Sequence, residues 1–305
     1  MKVLLTGAGG QLGQALIASR PEGVELLPLR RSDLDLADAD ACRLLVRQHQ
    51  PDWLLNAGAY TAVDRAEGDA GLAMAVNAGA PQAFAEALGA TGGRLLQVST
   101  DFVFNGQQGS PYLPEQAPEP LGVYGASKAA GERAVLKALG PGRARILRTS
   151  WVYGPVGANF CLTMLRLHAL KAAAGEPLGV VADQVGCPTA SSGLAAACWR
   201  AIGTWADPGA PTILHWSDAG AASWYDFAVA IGELGMAAGL LAHAAQVRPI
   251  PTSAYPTSAA RPAYSLLDCT ASRAALGLEP LGWRAALAQV LGQVADLWPT
   301  PGARA

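Results

Sequence analysis

The sequence predicts an α/β fold: a doubly wound parallel sheet with a smaller C-terminal α/β lobe. Three observations predict it. Apolar runs of strand length alternate with amphipathic runs of helix length through the first half of the chain. A glycine-spaced loop joins the first such pair, and the strict alternation weakens past Gly154. A chain of 305 residues is long for one compact domain, which fits a main body carrying an elaborated lobe.

Lys2–Thr6 has the pattern of a short buried strand, and Gly7-Ala8-Gly9-Gly10-Gln11-Leu12-Gly13 leads from it into a helical run through Ile17. Glycines at 7, 10 and 13 between a strand and a helix allow a tight turn, close backbone approach to a pyrophosphate and close helix–sheet packing. This is a Rossmann-type dinucleotide cradle. Val24–Leu29 reads as the second strand and ends in Arg30-Arg31, where an NAD-selective site usually carries an acid. A guanidinium at Arg30 can receive a 2′-phosphate, which favours NADPH with NADH as the alternative; two exposed arginines at a strand end fit the same residues. Asp35 and Leu36 stand where an adenine edge and face would lie.

Ala39–His49 is a predicted helix and Asp52–Asn56 a third strand, ending in Ala57-Gly58-Ala59-Tyr60-Thr61. Ala62–Glu67 and Leu72–Leu88 read as helices, and Arg94–Val98 as a fourth strand that delivers Ser99-Thr100-Asp101 at its carboxyl end, where ligands of open parallel sheets lie. A long loop from Phe102 to Val123, rich in Pro and Gly, is placed to close over a ligand. Tyr124-Gly125-Ala126-Ser127-Lys128 then opens a helix to Leu139. Positions i and i+4 share one helix face, so the Tyr124 phenol and the Lys128 ammonium can reach one pocket. The pair reads as a proton donor with a cation that pulls its pKa toward working pH, although a helix start can carry the same two residues. Lysine occurs at only four positions, 2, 128, 137 and 171, which sets Lys128 apart from surface decoration.

Ala144–Arg148 is the fifth strand, leading to Thr149-Ser150-Trp151-Val152-Tyr153-Gly154. Beyond it, Asn159–Ala174 and Ser191–Ile202 read as helices, Leu178–Val181 as a strand and Asp183–Thr189 as a polar turn; Ile213–Trp216, Ser223–Leu234 and Val247–Ile250 follow, with a closing helix over Trp283–Leu297. The expected division is an NAD(P)-binding domain over 1–153 with 190–216 returning to it, a substrate lobe over 154–189 and 217–298, and a loose tail over 299–305. Tryptophans in the second half are more often core than sugar platforms.

Composition excludes several classes. A net charge of −2 without a basic run argues against nucleic acid as the main partner. Apolar residues reach 51% but are dispersed, and no uninterrupted stretch approaches the ~20 residues of a membrane span. Met1–Leu5 runs into the glycine loop instead of a cleavage site, so the expected location is cytoplasmic with no membrane partner. Five cysteines without a CxxC pair suit reduced structural thiols, and four histidines at 49, 168, 215 and 243 are too scattered for a metal site.

These residues resemble the extended short-chain dehydrogenase/reductases through nearly the whole chain. The glycine loop and the Tyr/Lys pair mark the superfamily. Asn56–Glu67 and Arg261–Leu267 belong to the match, and Ser99–Phe104, Arg148–Gly154, Asp183–Thr189 and Ser223–Ala228 narrow the resemblance to a branch acting on dTDP-linked 4-keto sugars. The resemblance implies reduction of the 4-keto group of dTDP-4-dehydro-L-rhamnose by NADPH or NADH. It implies that Tyr124 protonates the forming alkoxide, that Lys128 holds the nicotinamide ribose and lowers the Tyr124 pKa, and that Thr100 hydrogen-bonds the reacting oxygen. Asp101 and Trp151 would contact the dTDP-sugar, and Gly10, Gln11, Leu12, Asp35, Leu36, Ala59, Tyr60 and Thr61 the cofactor. Hydride addition builds negative charge on one oxygen, and a donor pair with a matched acid is the chemistry that stabilises it. Phe102 departs from the Tyr common in the family. Some relatives dimerise around magnesium held by glutamates; approximate alignment puts Ala15, Ser192 and Gln293 there, so no metal is expected and the protein is expected to be a monomer, with a homodimer as the alternative. Two other functions carry related sequences: a non-catalytic NADP-binding regulatory subunit of the methionine adenosyltransferase type, and a reductase of another 4-keto-6-deoxy nucleotide sugar.

Overall fold

The computed structural model describes residues 1–207 and 209–298; the tail expected over 299–305 lies outside them. In chain order the first part runs β1 (Lys2–Thr6), α1 (Gln11–Ala18), β2 (Glu25–Leu29), α2 (Ala39–His49), β3 (Trp53–Asn56), α3 (Val63–Ala66), α4 (Ala70–Met74), a π turn (Ala75–Gly79), α5 (Ala80–Thr91), β4 (Arg94–Thr100), a 3-10 turn (Asp101–Val103), α6 (Val123–Leu139) and β5 (Ala144–Thr149). The second part runs β6 (Val152–Tyr153), α7 (Phe160–Ala174), β7 (Leu178–Val181), β8 (Val185–Gly186), β9 (Thr189–Ala190), α8 (Ser191–Gly203), β10 (Ile213–Trp216), β11 (Ala222–Ser223), α9 (Trp224–Ala237), β12 (Val247–Ile250), α10 (Thr270–Leu276) and α11 (Trp283–Leu297).

Six parallel strands form the main sheet in the order β10-β5-β4-β3-β1-β2. The apolar runs are continuous because both faces are covered. Successive side chains point to opposite faces: Leu4, Leu54, Leu95 and Ile146 pack with Val46 of α2, Phe84 and Leu88 of α5 and Val135 of α6. Val3, Leu5, Leu55, Leu96 and Leu147 instead meet Leu16 of α1 and Leu194 and Ile202 of α8. Strand order reverses at β1, and the crevice beyond the carboxyl ends of β1 and β3 is where such sheets bind ligands.

The smaller lobe is held by three two-stranded pairings, β6 with β9, β7 with β12 and β8 with β11. Its core lies between α7, α9 and α11, where Leu165, Phe227, Ile231, Leu287 and Leu291 meet. Helix α9 starts at a capping box in which Ser223 and Asp226 satisfy each other's backbone amides.

The structure departs from the sequence expectations at several points. The helix expected over Leu72–Leu88 is interrupted by the π turn, which brings the buried Asn77 inward. The fourth strand runs on to Thr100, the polar turn at Asp183–Thr189 contains β8 and the start of β9, and α10 was not anticipated.

Between β10 and β11 the buried Asp218 accepts a hydrogen bond from the Ala190 amide at 2.9 Å, and burial pushes its carboxyl up to about 7. A carboxyl raised on folding favours the folded state most below its unfolded value near ~4, and that contribution is lost as pH rises through about 7. Asp218→Asn is therefore expected to flatten the fall of Tm between pH 5 and 8, followed by calorimetry; an unchanged slope would move the titrating group elsewhere.

Candidate active site

The cradle is built by the first strand–turn–helix unit. Gly7 has φ +70°, and a Cβ there would lie 2.7 Å from the Gly58 nitrogen, so no other residue fits the turn. Gly10 caps α1 without a side-chain acceptor, which leaves the first-turn amides of Gln11, Leu12 and Gly13 to an anion at the positive helix end. Leu36 packs against Gly58 at the floor of the crevice, while Arg30, Asp35 and Thr61 are exposed at its rim. The Arg30 amide bonds the Asp33 carboxylate at 2.7 Å, and the Arg30 guanidinium extends into solvent at the end of β2. These groups fit a dinucleotide: an uncapped helix start for its diphosphate and an apolar floor for its adenosine.

Sequence reasoning missed a buried polar row beneath this crevice. Thr6 on β1 donates to Asn56 on β3 and accepts from the Gly58 amide, Asn56 donates to Gln97 on β4 at 2.7 Å, and Gln97 donates to the Val98 carbonyl at 2.8 Å. The same Val98 carbonyl accepts from Lys128 Nζ at 2.6 Å. The row ties the glycine loop to the lysine across three strands. Asn77, in the π turn, was also missed: its amide accepts from the Tyr60 nitrogen, donates to the Tyr60 carbonyl and donates to Ser127 Oγ on α6. It fixes the Ala59-Tyr60-Thr61 turn to the helix that carries Tyr124. Close approach at this point requires Gly131, where a Cβ would lie 2.1 Å from the Asn77 carbonyl oxygen.

Thr100, Asp101, Tyr124 and Lys128 converge at the carboxyl end of β4 and the start of α6. Thr100 Oγ1 donates to Asp101 Oδ1 at 3.0 Å and accepts from the Phe102 amide. Asp101 Oδ2 is buried with no hydrogen-bond partner. Burial pushes the Asp101 carboxyl up to about 6, with the Ser265 and Thr100 hydroxyls pulling the other way. Tyr124 is half-buried and meets Phe102 edge-on at 5.7 Å. Sequence reasoning expected Lys128 to lower the Tyr124 pKa. Instead, burial pushes the phenol up to about 12, with the Thr100 hydroxyl opposing and the Asp101 charge adding to the rise, while the Lys128 ammonium is turned to the Val98 carbonyl. Lys128 itself is drawn down to about 8 by burial, with the charge of Glu132 holding it up.

Trp151 follows β5 with φ +46°, the left-handed region, and its ring stacks on Trp224 of α9 at 3.5 Å and 5°. The Trp224 Nε1 donates to Gln184 in the loop before β8, so the aromatic pair stands where the two lobes meet. The opposite wall of the cleft beside Tyr124 comes from residues 259–262, clamped to α3 by Arg261 and the Ala259 amide on the Asp64 carboxylate, at 2.6 and 3.2 Å. Among the described residues no group of three or more His, Cys, Asp or Glu is placed to hold a metal, and no helix is long and apolar enough to cross a membrane.

A dinucleotide cradle with Thr100, the half-buried Tyr124 and Lys128 gathered at the carboxyl end of β4 defines an NAD(P)-dependent oxidoreductase of the short-chain type. The chain belongs to the RmlD substrate binding domain family, whose sequence model matches residues 1–295. It is 40% identical over 296 residues to a dTDP-4-dehydrorhamnose reductase of Aggregatibacter actinomycetemcomitans, covering 95% of this chain and 98% of that one. A reductase of the same name from Streptomyces griseus is 43% identical over 290 residues, covering 94% and 91%. Among solved structures, the dTDP-4-dehydrorhamnose reductase of Bacillus anthracis in complex with NADP superimposes with a TM-score of 0.85 at 33% identity, covering 96% of this chain and 99% of that one.

Proposed function

We propose that the protein reduces the 4-keto group of dTDP-4-dehydro-L-rhamnose to dTDP-L-rhamnose. The observation that carries this reading is the convergence of Thr100, Tyr124 and Lys128 beside the glycine cradle in a chain about 40% identical to reductases of that name. Bound NADPH supplies the hydride. The residues do the rest: Gly7, Gly10, Gln11, Leu12 and Gly13 hold the diphosphate, Leu36 and the Ala59-Tyr60-Thr61 turn the nucleosides, and Lys128 the nicotinamide ribose. Thr100 and Tyr124 hydrogen-bond the ketone oxygen. A phenol with its pKa pushed up to about 12 is fully protonated near neutral pH, and an alkoxide is a stronger base than its phenolate, so the proton moves to the sugar oxygen as charge builds there. The unpartnered Asp101 Oδ2 is an acceptor suited to a sugar hydroxyl, and Trp151, one ring face taken by Trp224, is assigned the second sugar contact.

In this reading residues 1–153 with 190–216 bind the cofactor, and 154–189 with 217–298 form the substrate lobe. The pairing of Ile213–Trp216 with β5 supports that division. The test is absorbance at 340 nm with NADPH and dTDP-4-dehydro-L-rhamnose, with NADH and a GDP-linked 4-keto sugar alongside. Rapid oxidation with the dTDP sugar alone is expected; cofactor binding without oxidation by any sugar would turn the reading to a non-catalytic NADP-binding subunit.

Arg30→Asp is expected to shift preference toward NADH by about tenfold or more, the loss of one charge-assisted contact to a 2′-phosphate, read as the ratio of kcat/KM for the two cofactors. Unchanged selectivity would pass the contact to Arg31. Ala15, the exposed Ser192 and the exposed Gln293 offer no carboxylate to a divalent cation. The oligomeric state is accordingly expected to be indifferent to magnesium or EDTA in sedimentation, and a dimer that dissociates on chelation would overturn this.

A further inference from the structure

A fully buried ion pair lies one helical turn beyond the lysine. Tyr124, Lys128 and Glu132 are spaced by four on α6 and so share one face. Both Glu132 oxygens accept from Arg148 on β5, from Nε at 3.0 and 3.2 Å and from Nη2 at 2.7 Å, with side chains 3% and 2% exposed. The remaining donor of Arg148, Nη1, bonds the Pro114 carbonyl at 3.0 Å in the loop between the 3-10 turn and α6. It also lies 3.4 Å from His215 Nε2 on β10. His215 Nδ1 faces the Tyr112 carbonyl at 3.1 Å and so carries the proton, leaving Nε2 to accept from Arg148. The guanidinium sits 5.1 Å over the Phe104 ring, which stacks on Tyr112 at 4.2 Å. The long loop over 104–122, between the 3-10 turn and α6, is thus pinned from beneath, through Phe104, Tyr112 and Pro114, to the helix that carries the lysine.

A fold does not need this pair for stability, since well-packed apolar residues often serve as well in its place. We infer that Glu132 and Arg148 are positioning residues for the reductase: Glu132 keeps Lys128 charged for the nicotinamide ribose, and Arg148 holds Glu132 and the loop over the site in one arrangement. The inference rests on the proposed dehydrogenase chemistry of the Tyr124–Lys128 site. The charged or titratable groups on the elements packed here are Tyr124 and Glu132 on the helix of Lys128 itself, Asp101 beside Tyr124, Glu67 on the Val123 amide at the helix start, and Arg148 and His215 behind Glu132. Of these Glu132 is the one whose charge bears on the ammonium, and burial opposes it. His215 stays neutral, pushed down to about 3 by burial first and by Arg148 second.

The experiment measures NADPH dissociation constants by fluorescence and kcat/KM against pH for the wild type, Glu132→Gln and the double variant Glu132→Gln/Arg148→Met. The double variant leaves no unpaired buried charge, so it keeps the test open if the single variant does not fold. Wild-type NADPH binding is expected to weaken as pH rises through the titration of Lys128, and the variants to weaken about one pH unit earlier. Near pH 8 this appears as a several-fold rise in the dissociation constant, with little change at pH 6. A folded variant whose profiles superimpose on the wild type, or are lowered equally at every pH, would reduce the pair to a structural role. Failure of the wild type to oxidise NADPH with the sugar, while its binding still shows this pH dependence, would sink the proposed reaction and leave the positioning role standing.

Discussion

Tyr124→Phe is expected to lower kcat by about 10²–10⁴-fold while NADPH binding survives, the range of a lost general acid. The substitution removes one hydroxyl and leaves the ring that meets Phe102 at 5.7 Å, so the helix start and the cleft wall keep their packing. Near neutral pH the wild-type phenol holds its proton, being pushed up to about 12 by burial, and its neighbours do not replace it: the Thr100 alcohol can donate a hydrogen bond but is a far weaker acid than a phenol, and the Lys128 ammonium is turned to the Val98 carbonyl. Single-turnover measurement with premixed NADPH separates loss of the chemical step from loss of binding. Turnover close to the wild type would take the acid role away from Tyr124.

Arg148→Met as a single change is expected to destabilise the protein by about 3–5 kcal/mol, because Glu132 would be left charged and unpaired in the interior. The Pro114 carbonyl and His215 Nε2 would each lose a donor as well. At roughly 2–4 °C per kcal/mol for a large domain, Tm should fall on the order of 10 °C. The double change with Glu132→Gln should recover much of that loss. A single variant with wild-type Tm would mean that water or a rearranged loop satisfies Glu132.

The sheet was legible because its strands are buried on both faces and read as unbroken apolar runs: Leu4, Leu54, Leu95 and Ile146 could hardly belong to anything else. The Tyr124–Lys128 face and the Gly7 turn were legible because their spacing is local. What escaped was non-local or too short. Glu132 and Arg148 are sixteen residues apart on different elements, and Trp151 and Trp224 are brought together only by the folding of the second lobe. The two-residue strands β6, β8, β9 and β11 have no period to detect. The π turn at Asn77 inserts its extra residue without breaking the helical pattern of its neighbours, so Leu72–Leu88 reads as one helix. The direction of the Tyr124 pKa was hidden for another reason: spacing puts Lys128 on the right face, but the burial that raises the phenol and the Val98 carbonyl that takes the ammonium both come from packing against other elements.

The main sheet ends in β2 and β10, and an unpaired strand edge is an open template for another chain. Each end is blunted differently. On β2, Pro28 sits opposite Leu5 and has no amide hydrogen to offer a further strand. On β10 the His215 amide is already spent on Ser272 Oγ of α10, at 2.8 Å. Strand addition is thus hindered at one position on each flank, by a missing donor and by an occupied one, which guards an alanine- and leucine-rich chain against ribbon-like aggregation.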